Sequence, residues 1–200
     1  DVKVPIENVK VYLNLIGLLK SKIEIKYSII QSKEININQL KKIILETKPS
    51  NLNSLILNRV KKGFLKTSVE FYFDEDFEIK NYIARGELKK IDFMFEKFEF
   101  KNTEFKFFAD NSDILLKNIK SEIDGVIFKN GDLQINHEKN FNIKSSFFTS
   151  LDLNRKQHST YFKFLEKNKY LKGDIYLKAN LDHNLDITLD KTMKVNRYNY

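Results

Sequence analysis

From Phe64 onward, apolar side chains recur at every second position over most of the chain. The runs Val69–Phe73 and Ile91–Phe95 show this clearly, with polar or charged residues between most of the apolar ones. A two-residue period places alternate side chains on opposite faces of a β-strand. Such runs, roughly 10 residues apart and separated by turn residues, predict an antiparallel all-β meander.

Turn residues divide this part of the chain. We predict turns at Asp74–Asp76 and Asn102–Thr103, and we read Asn130-Gly131-Asp132 as the strongest hairpin signal. The alternation changes phase after Lys97, as it does at a β-bulge. Helical spacing is absent after residue 63, which argues against a parallel βαβ protein.

The first third of the chain differs. Residues 1–37 predict N-terminal strands, and residues 38–62 predict an insert of two short helices, with Asn38 as a cap and Gly63 ending the second. Residues 63–200 predict the meander, as part of the same elongated domain. We expect the whole to be a fragment of a longer chain.

Each predicted strand has one apolar face that must be covered. A curled sheet with an apolar groove, a sandwich and a closed barrel would each do this. We expect the apolar face to carry the function. The candidate residues are Val69, Phe71, Phe73, Ile91, Phe93, Phe95, Phe98, Phe100, Phe105, Phe107, Ile127 and Phe147.

The composition and the motifs of the chain exclude several classes of function. The chain has no cysteine, which excludes disulfides and thiolate chemistry, and it has no glycine-rich phosphate loop or nucleophile elbow. The three histidines, His137, His158 and His183, lack metal-ligand spacing and read as incidental. We therefore expect no enzyme, no cofactor and no bound metal.

A net charge of +8 is typical of proteins that bind nucleic acid. Lysines are spread evenly and acidic residues lie between them, so we attribute the net charge to the overall composition and not to a binding patch. In the stretch Phe93–Phe107 the aromatics share one face and charges of both signs share the other. Apolar burial accounts for this better than base stacking, and we expect no nucleic-acid partner.

Several stretches together resemble one family. They are the strand Val9–Leu15, the break Leu18-Leu19-Lys20-Ser21, the strand Ile23–Ile29, and the strand start Gly86-Glu87-Leu88 followed by Gly131-Asp132-Leu133. In this order they resemble the AsmA-like and TamB-like proteins of the bacterial envelope, over about residues 1–150.

The resemblance implies a periplasmic protein, anchored in the inner membrane by an upstream helix and extended toward the outer membrane. It implies a long β-groove that conducts phospholipid or another acyl lipid, and no catalytic residues. The alternative is a structural or adhesive β-domain of an envelope or surface protein with a closed core.

Overall fold

The residues that the structure describes form a single antiparallel sheet with three short helices. The computed structural model describes residues 3–19, 22–95, 98–123, 125–136, 141–154, 176–190 and 194–200. The elements, in chain order, are β1 (Ile6–Leu13), α1 (Leu15–Leu19), β2 (Ile25–Ser32), β3 (Ile35–Asn36), α2 (Ile37–Leu45), α3 (Asn51–Arg59), β4 (Val60–Phe73), β5 (Ile79–Phe95), β6 (Phe98–Ala109), β7 (Asp113–Ile123), β8 (Val126–Asn136), β9 (Phe141–Asn154), β10 (Tyr176–Leu189) and β11 (Val195–Asn199).

The strand order is that of a meander. The sheet runs β1-β2-β4-β5-β6-β7-β8-β9-β10-β11, and the two-residue β3 pairs with β4 beside β2. Every pairing is antiparallel, which confirms the predicted fold class. The eleven described strands form one unclosed sheet, so this part of the chain is neither a sandwich nor a barrel.

The helices lie close to the predicted insert, but their caps differ. Asn36, not Asn38, caps α2: its side chain accepts from the backbone N–H of Gln39, whose side chain in turn accepts from the backbone of Asn36. α3 ends at Arg59 and β4 begins directly at Val60. Gly63 therefore ends no helix, and it lies inside β4 at a φ of 142°.

The predicted turn at Asp74–Asp76 joins β4 to β5 and is confirmed, whereas the other two predicted turns and the predicted bulge after Lys97 are reversed in the structure. β5 ends at Phe95 and β6 begins at Phe98, and these two residues pair, so the hairpin lies where we predicted a bulge. Asn102–Thr103 lies inside β6, and Asn130-Gly131-Asp132 lies inside β8. Both turn predictions are wrong.

Asn102 and Asn130 belong to a row of four bulges that crosses four neighbouring strands. Lys90, Asn102, Asn118 and Asn130 have φ between 48° and 57°, and each lies at a register shift of β5, β6, β7 or β8. We call these four residues the bulge row. A bulge bends its strand and increases the local twist, so four in a row curve the sheet.

A small core joins the helices to the sheet. Ile37 of α2 packs with Val60 and Ile91, all three at most 8% exposed, and Leu40 and Ile56 add to the cluster from the helices. Because Ile91 and its neighbours belong to the apolar side of β5, α2 and α3 cover that side at β4 and β5.

Candidate functional site: an apolar trough

The pairing register defines one apolar face, because directly paired residues of an antiparallel sheet point to the same side. Val69 pairs with Ala84, and Phe93 with Phe100, which itself pairs with Ile123. Farther along, Leu133 pairs with Leu116 and Ser145, and Phe147 pairs with His183. We call this side of β1–β10 the apolar face.

A trough of about 370 Å³ crosses the apolar face from β5 to β9. We use the word trough for this site and its lining. Its lining combines aromatic and aliphatic side chains with several small ones: Phe93, Phe100, Thr103, Phe105, Leu116, Ile119, Ser121, Ile123, Phe128, Gly131, Ser145 and Phe147.

Aromatic rings contact one another in pairs along the trough. The Phe93 and Phe100 ring centres are 4.5 Å apart with the planes 10° from parallel. Phe128 and Phe147 are 5.5 Å apart and tilted, and Phe147 stacks on His183 at 4.4 Å. Such aromatic pairs contribute about 0.5–1.5 kcal/mol each beyond their burial, so they stabilise the walls of the trough.

Small residues give the trough its depth. Thr103 and Ser121 are buried, and their hydroxyl oxygens lie 2.7 Å apart in a hydrogen bond. Gly131 pairs with Ile119, and a Cβ at Gly131 would lie 2.8 Å from the Cβ of Ile119. Larger residues here would fill the space between the aromatic walls.

The opposite face is charged and secures the bulge row. The Asp92 carboxylate accepts from the Asn102 N–H at 2.9 Å and lies 3.0 Å from the Lys62 ammonium. The Asp132 carboxylate accepts from the Asn118 N–H at 3.2 Å and from Lys117. Each carboxylate thus binds the backbone at a bulge of the neighbouring strand.

These contacts change the pKa of both carboxyls. Burial raises the pKa of Asp92, but the hydrogen bond from Asn102 and the charge of Lys62 outweigh burial and leave that pKa below its ordinary value. The hydrogen bond from Lys117 holds the pKa of Asp132 below its ordinary value, against the smaller opposing effect of burial. Both groups are therefore ionised at neutral pH.

Of the twelve predicted residues, four line the trough: Phe93, Phe100, Phe105 and Phe147. Seven more lie on the apolar face outside it. Ile91 is under the helices, Phe95 and Phe98 are at the β5–β6 hairpin, and Phe107 packs on Gly86. Val69, Phe71 and Phe73 lie on β4, farther toward β2.

Ile127 is on the wrong face. It pairs with Glu122 and Ser150 on the charged side, while its neighbour Phe128 points into the trough. Val126, Ile127 and Phe128 are consecutive apolar residues, so alternation alone does not say which of them face the trough. The pairing of Phe128 with Thr149 and the contact of its ring with Phe147 show that Phe128 faces the trough.

Sequence reasoning missed the small residues of the trough and the role of His183. Thr103, Ser121 and Ser145 are polar residues at apolar-face positions, and correct strand bounds would have placed them there. His183, which we expected to be incidental, stacks on Phe147, lies against the tilted ring of Tyr200 and forms a hydrogen bond with the Tyr200 hydroxyl through Nδ1. His137 and His158 lie outside the described residues.

The described ranges hold no group of three His, Cys, Asp or Glu residues that would bind a metal ion. Within the same ranges, no helix combines the length and the apolar character needed to cross a bilayer. No protein-family model, no curated protein and no solved structure matches the chain.

Proposed function

We propose that this chain is a segment of a periplasmic, AsmA-like envelope protein that shelters phospholipid acyl chains in the trough and conducts them along the apolar face. On this proposal a segment upstream anchors the protein in the inner membrane, and the lipid moves toward the outer membrane. The trough, open along one face of an unclosed sheet, is the observation that carries the proposal.

The dimensions of the trough suit an acyl chain. It crosses five strands, and four inter-strand spacings of about 4.8 Å give it a length of roughly 19 Å. One leaflet of a bilayer is about 15 Å of hydrocarbon. A chain lying across the strands would touch Phe93, Phe100, Phe128 and Phe147 in succession.

The chemistry of the trough favours hydrocarbon over a peptide. The backbone groups of interior strands are paired with their neighbours, so a peptide lying across the sheet would leave its own amides without partners on an apolar surface. An acyl chain has no such groups, and each buried CH₂ contributes about 0.8 kcal/mol. Many similar weak contacts allow movement along the face.

Filling the trough tests the proposal. Ser145 lines it, while the next residue, Ser146, points to the charged face and is exposed. We expect lipid extraction and mass spectrometry to find phospholipid bound to the purified wild-type chain. Ser145→Trp should remove most of it, and Ser146→Trp, the matched control, should not. A folded wild-type chain without lipid would contradict the proposal and favour the structural or adhesive role.

A further inference from the structure

Two buried side-chain polar atoms in the described part of the chain have no hydrogen-bond partner: Thr149 Oγ1 and His183 Nε2. Thr149 pairs with Leu181 and Phe147 pairs with His183, so Thr149 and His183 are diagonal neighbours on the apolar face. Diagonal neighbours lie about 7 Å apart. The two unpaired atoms therefore belong to neighbouring side chains on the same face.

Neither atom is an exposed group of the surface. Thr149 is only 2% exposed, and a buried hydroxyl without a partner destabilises a fold, whereas valine would fill the same volume without that loss. His183 is held by the Phe147 ring on one side and by Tyr200 on the other. When the Tyr200 hydroxyl donates to Nδ1, the proton of the neutral ring is on Nε2.

The site adjoins the trough. Phe128 pairs directly with Thr149, and Phe147 precedes Thr149 by two residues on the same strand and face. Both phenylalanines line the trough. A molecule whose hydrocarbon part follows the row from Phe93 to Phe147 would end beside Thr149 and His183, which lie just outside the trough lining.

We propose that Thr149 and His183 together bind the carboxylate or ester oxygen of an acyl lipid, with its hydrocarbon chain extending from β9 toward β5. The proposal rests on the proposed function of the trough and adds the orientation in which the lipid lies in it. The shared chemistry is a carbonyl-type oxygen that accepts two hydrogen bonds in an otherwise apolar setting.

The test compares three probes of one chain length: palmitic acid, its methyl ester and hexadecane, each displacing a fluorescent fatty acid from the purified chain. We expect the acid and the ester to bind roughly tenfold more tightly than hexadecane, as one or two added hydrogen bonds imply. Thr149→Val and His183→Phe should each reduce that preference to about twofold or less. Thr149→Val should at the same time unfold at a higher temperature without ligand.

Two variants serve as controls. Ser150→Ala removes the hydroxyl of the residue next to Thr149, which is exposed on the opposite face, where it pairs with Ile127. Asn184→Ala changes the residue next to His183, which is exposed on the opposite face, where it pairs with Ser146. Both should retain the preference for the acid and the ester.

The outcomes separate the two proposals. If hexadecane binds as tightly as the acid and ester, or if Thr149→Val keeps the preference, the hydrogen-bonding site is wrong and the trough remains. If the folded chain binds none of the three probes, the proposed function fails as well.

Discussion

The Asp92 carboxylate accepts a hydrogen bond from the backbone N–H of Asn102, 2.9 Å away on the neighbouring strand. This hydrogen bond connects the bulge of β6 to β5 on the charged face. Asp132 makes the same kind of contact with Asn118 between β8 and β7. The curvature of the trough is thus supported by charged groups on the other side of the sheet.

We expect Asp92→Ala to lower the free energy of unfolding by about 1–3 kcal/mol, because it leaves a bulge N–H without its acceptor. The measurement is urea unfolding at neutral pH. Asp152→Ala is the control: its ion pair with Lys178 is exposed, and its loss should change stability by less than about 0.5 kcal/mol. Equal effects of the two variants would contradict the role given to Asp92.

The Asp92 contribution should depend on pH. Since its pKa is lower in the folded chain than in the unfolded chain, the contribution is present above the unfolded value of about 3.9 and is lost as pH falls below it. The stability difference between wild type and Asp92→Ala should therefore shrink between roughly pH 5 and pH 3. A difference that stays constant over this range would show that the charge of Asp92 is unimportant.

The bulge row predicts which residues Asn130 tolerates. Its φ of 52° suits glycine and asparagine but disfavours β-branched residues. Asn130→Val should destabilise by about 1–2 kcal/mol, and Asn130→Gly should stay within about 0.5 kcal/mol of wild type. Lys129→Val, at an exposed neighbouring position where φ is not positive, should be tolerated. Thermal unfolding of the three variants checks this, and equal tolerance of valine at 129 and 130 would argue against the bulge.

The cluster beneath the helices should dominate stability. Ile91 is 6% exposed and packs on Ile37 and Val60, so Ile91→Ala should lower the free energy of unfolding by about 2–4 kcal/mol. Ile127, 40% exposed on the charged face, is the control, and Ile127→Ala should cost less than about 1 kcal/mol. Chemical denaturation compares them, and the reverse order would contradict the assignment of faces.

The fold class followed from the sequence because alternation is a local property of each strand. The ends of the strands could not be predicted from the sequence in the same way, and Asn102 and Asn130 explain why. Asn102 and Asn130 adopt a left-handed conformation, which a hairpin turn and a bulge require equally. Local sequence therefore favoured turns at both positions, whereas pairing with neighbouring strands produced bulges.

Part of the trough could be predicted from the sequence. Phe93, Phe100, Phe105 and Phe147 were predicted, because large aromatics mark an apolar face. Ser121 and Ser145 were not, since a polar residue gives no apolar signal even at an apolar-face position. Ile127 was misplaced because the register of β8 depends on the bulge at Asn130.

Photocrosslinking at two phenylalanines tests the lipid-binding face most directly. Phe98 is 39% exposed on the apolar face, and Phe108, paired with Arg85, is 38% exposed on the other face. With p-benzoylphenylalanine at either position and vesicles of phospholipid, we predict a crosslinked phospholipid at position 98 and only background at position 108. Equal crosslinking at the two positions, or none at position 98 of a folded chain, would contradict the account.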